Sequence, residues 1–249
     1  MKFLIIPIVW LGAAISACAD YESLVAEGDV HDKKAETELA LKFYLPAEKL
    51  EPNHADLLVK IARQYALRMS DLPKDADKIQ SCRTALAYAE RSAKLAPNQC
   101  DSHLSIAICL GKLTPFLSGN EKIEASRRIK ESAERAVALD PKNDYAWHLL
   151  GRWHQALANI GGGTRTLAKI IYGGLPEASN AEAIVCFKKA IALNPKRLIH
   201  VVELGRTYAM MGQIEEAKKI IRQGIAMPNR EKDDPETKQR GQKTLDEIS

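Results

Sequence analysis

The strongest constraint on this chain is a stop that recurs five times. The stops are Glu51-Pro52-Asn53, Ala96-Pro97-Asn98, Asp140-Pro141-Lys142, Asn194-Pro195-Lys196 and Met227-Pro228-Asn229. Proline has no N–H to donate and biases the residue before it away from helical geometry, so each stop ends a helix. Packing residues stand at fixed offsets upstream: Ala40, Tyr44 and Ala47; Ala85, Ala89 and Ser92; Ile129, Ala133 and Ala136; Ala183, Phe187 and Ala190; Ala217, Ile221 and Gly224. A matching pattern marks an earlier helix in three copies. Its sets are Leu58, Ile61, Ala62 and Tyr65; Trp147, Leu150, Gly151 and His154; and Val201, Leu204, Gly205 and Tyr208. Small residues let two antiparallel helices approach, and the large ones fill the space beside them. The repeating unit is therefore a helical hairpin of about 34 residues.

Composition agrees with packed amphipathic helices. Aromatic residues make up only 6% of the 249, too few for a β-sandwich core. The formal charge of +4, with both signs interspersed, argues against a dedicated nucleic-acid binder.

The pattern W-x-x-L-G-x-x-H at Trp147–His154, followed by A-x-x-x-F-x-x-A-x-x-x-x-P at Ala183–Pro195, is similar to the tetratricopeptide repeat. The resemblance spans about residues 21–231. It implies an all-α, right-handed α-solenoid of about five hairpins, whose concave wall is built from the first helix of each pair. Residues 232–249 read as a polar capping helix entered at Asp234-Pro235. Three copies carry extra residues between their two helices, at Arg68–Ser81, Thr114–Glu124 and Asn159–Ser179. His148–Trp153, with the insertion ending Tyr172-Gly173-Gly174-Leu175-Pro176, resembles the regulator of microtubule dynamics proteins, best from Cys100 to Pro195. That resemblance implies a binding protein. Eukaryotic members of the family are linked to microtubules, and one branch to organelle contacts and phospholipids.

The first 19 residues read as a leader. Lys2 precedes an apolar stretch to Ile15, then the small residues Ser16-Ala17-Cys18-Ala19. Cleavage after Ala19 and lipidation of Cys18 are both consistent with this segment. Either predicts an exported protein, periplasmic or anchored as a lipoprotein, and suggests a bacterial relative.

Catalytic and phosphate-binding motifs are missing, so the expectation is a scaffold without enzymatic activity, cofactor or metal. His148 and His154 share a helix but point to different faces, and His154 reads as a packed, hydrogen-bonded core residue. Gly161-Gly162-Gly163 lacks the lysine of a phosphate loop and reads as a hinge. Cys82 and Cys109 are expected to lie close together, at facing helix ends of consecutive hairpins.

The candidate ligand groups sit just after the small residue of each first helix: Arg63, Arg152 and Arg206, with Asp29 and Ile108 at the same place in the other copies. Tyr145 and His148 join them as groove candidates. Two readings stay open. The arginines form a cationic column for an acidic peptide or a lipid phosphate, or each pairs with a neighbouring acid such as Glu203. The insertion offers Arg165, Lys169, Ile170 and Tyr172 as a groove lid, a membrane contact or a cover for core. The partners implied are a protein or peptide, acidic on the column reading, or a phospholipid. No nucleic acid is expected, and membrane contact only through the N-terminal anchor.

Overall fold

Four of the proline stops become turns between hairpins, and the fifth leads from the last hairpin to the final helix. At the first four the residue before the proline donates its N–H to the carbonyl of the last packing residue: Glu51 to Ala47 at 3.0 Å, Ala96 to Ser92 at 2.8 Å, Asp140 to Ala136 at 2.9 Å and Asn194 to Ala190 at 2.9 Å. The helix closes its final turn there, and the proline prevents another. A computed structural model describes residues 20–162 and 177–249. The leader with Cys18, and Arg165, Lys169, Ile170 and Tyr172 of the insertion, lie outside the described residues.

The described residues form eleven helices: α1 (Tyr21–Lys33), α2 (Thr37–Leu50), α3 (Ala55–Arg68), α4 (Asp75–Leu95), α5 (Cys100–Leu113), α6 (Gly119–Leu139), α7 (Asp144–Ala158), α8 (Asn180–Leu193), α9 (Leu198–Met210), α10 (Ile214–Ala226) and α11 (Asp234–Glu247). They pair as five hairpins, α1 with α2 through α9 with α10, and each second helix packs on the first helix of the next hairpin. The chain is an all-α solenoid. Among the described residues no helix is long and apolar enough to cross a membrane.

The second-helix packing residues read from the offsets are buried, Ile129 only partly. Ala40, Tyr44, Ala47, Ala85, Ala89, Ala133, Ala136, Ala183, Phe187, Ala190, Ala217 and Ile221 are fully covered. The crossings are tight. A Cβ on Gly205 would lie 2.6 Å from Ile221 Cγ1 and 2.9 Å from the Ile221 backbone nitrogen. Gly28 faces the Tyr44 ring in the same way.

The first two insertions differ from the expectation of spacers between helices. Each is a short 3₁₀ turn, Met69–Asp71 or Thr114–Phe116, followed by an early start of the second helix. α4 and α6 are 21 residues long, against 14 in α2 and 13 in α10. For α6 the start is fixed by a capping box between Ser118 and Glu121. Most of the extra residues therefore lengthen the hairpin instead of opening it.

The uninserted hairpins turn tightly. Gly212 takes φ 73° between α9 and α10, and Ala35 takes φ 58° between α1 and α2. A left-handed alanine costs roughly 1 kcal/mol where glycine costs little. The capping helix α11 packs on α9 and α10, and Asp234, Thr237, Gly241 and Leu245 are its buried residues.

Two substitutions should therefore shift stability in opposite directions in urea denaturation. Ala35→Gly should raise it by roughly 1 kcal/mol by relieving the left-handed strain. Gly205→Ala should lower it by roughly 1–2 kcal/mol, because overpacking against backbone outweighs the better helix propensity of alanine. A stabilised Gly205→Ala variant would show that the crossing is loose.

Candidate functional site

The first helices α3, α5, α7 and α9 lie side by side and form the inner wall of the solenoid. They enclose a groove of about 490 Å³, whose far side is completed by Glu231 and Asp233 from the segment before α11 and by Asp234 at its start. Its floor is apolar, with Val59, Leu67, Leu104, Ile108 and Ile199. Its walls carry Lys60, Arg63, Lys112 and Arg197 together with Asp32, Asp101 and Asp144. A second, open depression of about 780 Å³ between residues 53–56 and 96–99 is a shelf between two turns. Gln99 bridges it by donating to Asp56.

The arginine column is split. Arg63 lines the groove, its side chain is 54% exposed, and its nearest acid, Asp32, is 3.5 Å away. Arg152 and Arg206 instead turn onto Glu203, which is fully buried. Arg206 Nη1 donates to both carboxylate oxygens at 2.9 and 2.7 Å, and Arg240 of the capping helix approaches at 3.5 Å. Burial alone raises a carboxyl pKa, but Arg152, Arg206 and Arg240 together hold Glu203 below the usual range. For these two arginines, the pairing with Glu203 is the reading the geometry matches.

The same first-helix place in hairpin one holds Asp29, which accepts from Tyr44 Oη at 2.6 Å and from Lys60 Nζ. Desolvation pulls this carboxyl up, and the bonds to Lys60 and Tyr44 outweigh it and hold it low. Ile108 lies on the groove floor. One helical turn later, Lys112 lines the groove with no ion-pair or hydrogen-bond partner among the described residues.

Tyr145 lines the groove, with the Arg197 guanidinium 5.2 Å above its ring. His148 does not line it. It is 2% exposed and packs behind Tyr145 against Phe187 and His200. The reason is helical periodicity: Tyr145 and His148 are neighbours on α7, yet the next hairpin covers the histidine's side. His154 also departs from expectation, since its Nδ1 is buried without a hydrogen-bond partner.

Behind the wall lies a polar chain not foreseen from the sequence. Arg197 Nη1 donates to Asp144 at 2.7 Å, and His200 Nε2 donates to the same oxygen at 2.8 Å. His200 Nδ1 lies 3.0 Å from His148 Nδ1, so with Nε2 protonated it accepts the His148 proton. Burial, then the neighbouring His200 and Arg152, push His148 well below the ordinary histidine range. Burial also lowers His200, against the pull of Asp144. Asp144 is itself held low: the His200 hydrogen bond and Arg197 outweigh desolvation. Arg197 follows directly on a proline stop, which was the one available signal; Asp144, His200 and Glu231 sit at no repeated offset.

The expected meeting of Cys82 and Cys109 is present. Both are buried free thiols, and Cys82 Sγ donates to the Cys109 carbonyl at 3.1 Å. Burial pushes the Cys82 thiol up to about 11 and Cys109 higher still. Cys186 is also raised to about 11 by burial. Thiols so placed stay protonated at neutral pH and are poor nucleophiles.

Fold and groove together define a tetratricopeptide-repeat solenoid, a class built for binding along its inner wall. The chain is similar in structure to a thermophilic TPR protein of Thermus thermophilus, with a TM-score of 0.65 at 15% identity, covering 90% of this chain and 98% of that one. It is also similar to Pseudomonas aeruginosa pilF, with a TM-score of 0.56 at 11% identity, covering 92% and 88%. In sequence, residues 24–249 match the family described as Regulator of microtubule dynamics protein 1-3, and the chain belongs to that family. Regulator of microtubule dynamics protein 1 of Mus musculus is 28% identical over 81% of this chain and 66% of its own length. Protein 3 of Xenopus laevis is 27% identical over 74% of this chain and 40% of its own. The chain thus spans two thirds or less of these relatives.

The buried charges tie stability to pH. Glu203→Gln leaves three guanidiniums around a neutral amide and should cost about 3 kcal/mol at pH 7 in urea denaturation. The cost should shrink as pH falls below the ordinary glutamate value, where the unfolded wild type takes up a proton that the folded state resists. The histidines act at higher pH. Their folded pKa values are depressed, so their stabilisation is complete above about pH 6.5 and declines below it. The thermal midpoint should fall between pH 7 and pH 5, and His148→Phe should flatten that slope. An unchanged slope would mean that the pair is not held neutral.

Proposed function

We propose that this chain is a non-enzymatic scaffold that engages a protein segment along the groove between α3, α5, α7 and the segment 231–234. What carries the reading is an apolar floor at Val59, Leu104 and Ile108 beside two under-committed cations, Arg63 and Lys112. Apolar residues of a partner gain burial on that floor, and charged ones orient it. A fold and family of scaffold type support the same conclusion. Burial explains the raised thiols and the low histidines without any catalytic role.

The test is selection of groove ligands from a displayed peptide library, followed by affinity measurement with variants. Arg63→Ala and Lys112→Ala should each weaken selected peptides about tenfold, the loss expected for one charge-assisted contact of about 1.4 kcal/mol. Added salt should weaken wild-type binding as well. Val185→Ser, on an exposed outer position, should have no effect. Equal affinity across all variants would overturn the groove reading. Parallel arms are native mass spectrometry for bound phospholipid and co-sedimentation with microtubules. They decide whether lipid is the ligand, and whether the role in the relatives' name extends to this chain.

A further inference from the structure

The segment between α10 and α11 reaches across the solenoid. Asp234 is 2% exposed, and its carboxylate accepts the N–H groups of Arg230 at 2.7 Å and Glu231 at 2.8 Å. Lys238 Nζ donates to the Met227 carbonyl at 2.6 Å. These bonds set the segment's course. Glu231 then meets Arg197 at 3.2 Å inside the groove. Lys232 points the other way, to Asp71 at 2.5 Å and Thr37 at 3.5 Å, residues of the first two hairpins. Its side chain is only 18% exposed, so the contact is seated, not a chance surface pair.

The segment sets the charge balance of the groove. Without Glu231 and Asp233 the walls present Lys60, Arg63, Lys112 and Arg197 against Asp32, Asp101, Asp144 and Asp234, an even balance. The segment adds Glu231 and Asp233 and makes the lining acidic. Glu231 also occupies one arm of Arg197, whose other arm is held by Asp144. The groove thus already contains two carboxylates of the chain's own, Glu231 and Asp233, on a segment tied to the first two hairpins by one lysine latch.

Resting on the groove reading above, we propose that residues 228–233 are a built-in competitor for the groove, and that the partner is an acidic segment that displaces them and takes Arg197, Arg63 and Lys112. The latch is suited to release. Asp71 is more than half exposed, and an ion pair with one solvated partner is easily exchanged. A competitor that fills the site most of the time lowers apparent affinity by the fraction of chains left open, and loosening it returns that factor.

The experiment uses the full chain and a fluorescein-labelled peptide of about sixteen residues rich in Glu, Asp and Leu, with a counterpart carrying Lys at each acidic position. Lys232→Ala and Asp71→Asn should each tighten the acidic peptide about fivefold to tenfold, and the double variant no further, because both open one latch. Lys232→Arg should restore wild-type affinity, and Arg197→Gln should lose binding in every background. Circular dichroism melts of each variant establish that the helices persist. Three results overturn the proposal: unchanged affinity on opening the latch, full additivity of the two substitutions, or preference for the lysine peptide. If the acidic peptide binds every latch variant equally, the groove reading survives and the competitor does not. If neither peptide binds any form, both fail.

Discussion

At three of the five hairpin crossings one helix gives up its side chain so that the other can insert a large one. Gly28 meets Tyr44, Gly151 meets Phe187 and Gly205 meets Ile221. The exchange brings two helices close enough for dense packing, and dense packing is where most of their burial energy lies. In a solenoid each unit leans only on its neighbours, so the tightness of these crossings sets how one hairpin stacks on the next. The alignment of the first helices, and hence the groove, depends on it.

The charges divide along the same axis. Toward the C-terminal end, Glu203 is fully buried and three guanidiniums from α7, α9 and α11 converge on it. A buried carboxylate tolerates nothing less, since its desolvation must be offset by close partners. This knot fastens the fourth and fifth hairpins to the capping helix. In the second and third hairpins Arg63 meets only Asp32, at 3.5 Å, and Lys112 has no acid partner among the described residues, and both line the groove. Arginine at one repeat position thus serves cohesion at one end and the groove at the other.

Much of this was legible in the order of residues alone. The proline stops, the small and large residues at fixed offsets, the five hairpins and the approach of Cys82 to Cys109 all follow from helical periodicity and antiparallel pairing. What was not legible follows from the same periodicity. An offset tells which face of a helix a residue occupies, but not what stands opposite. His148 shares a helix with Tyr145, yet α9 covers it and leaves Tyr145 in the groove. The insertions were visible as extra residues. Their outcome, longer second helices, depended on local capping such as Ser118 with Glu121, and on hairpin partners able to receive another turn.

By itself the sequence determined the repeat: where helices end, which faces pack and how many hairpins stack. Those properties are local, encoded within one unit and its neighbour. Only the tertiary structure decided which arginines remain available, that Asp144, His148 and His200 join in one chain, and that Lys232 closes on Asp71 and Thr37. Those contacts link residues up to 195 positions apart. They arise from the accumulated rotation of hairpin on hairpin, which no single repeat contains.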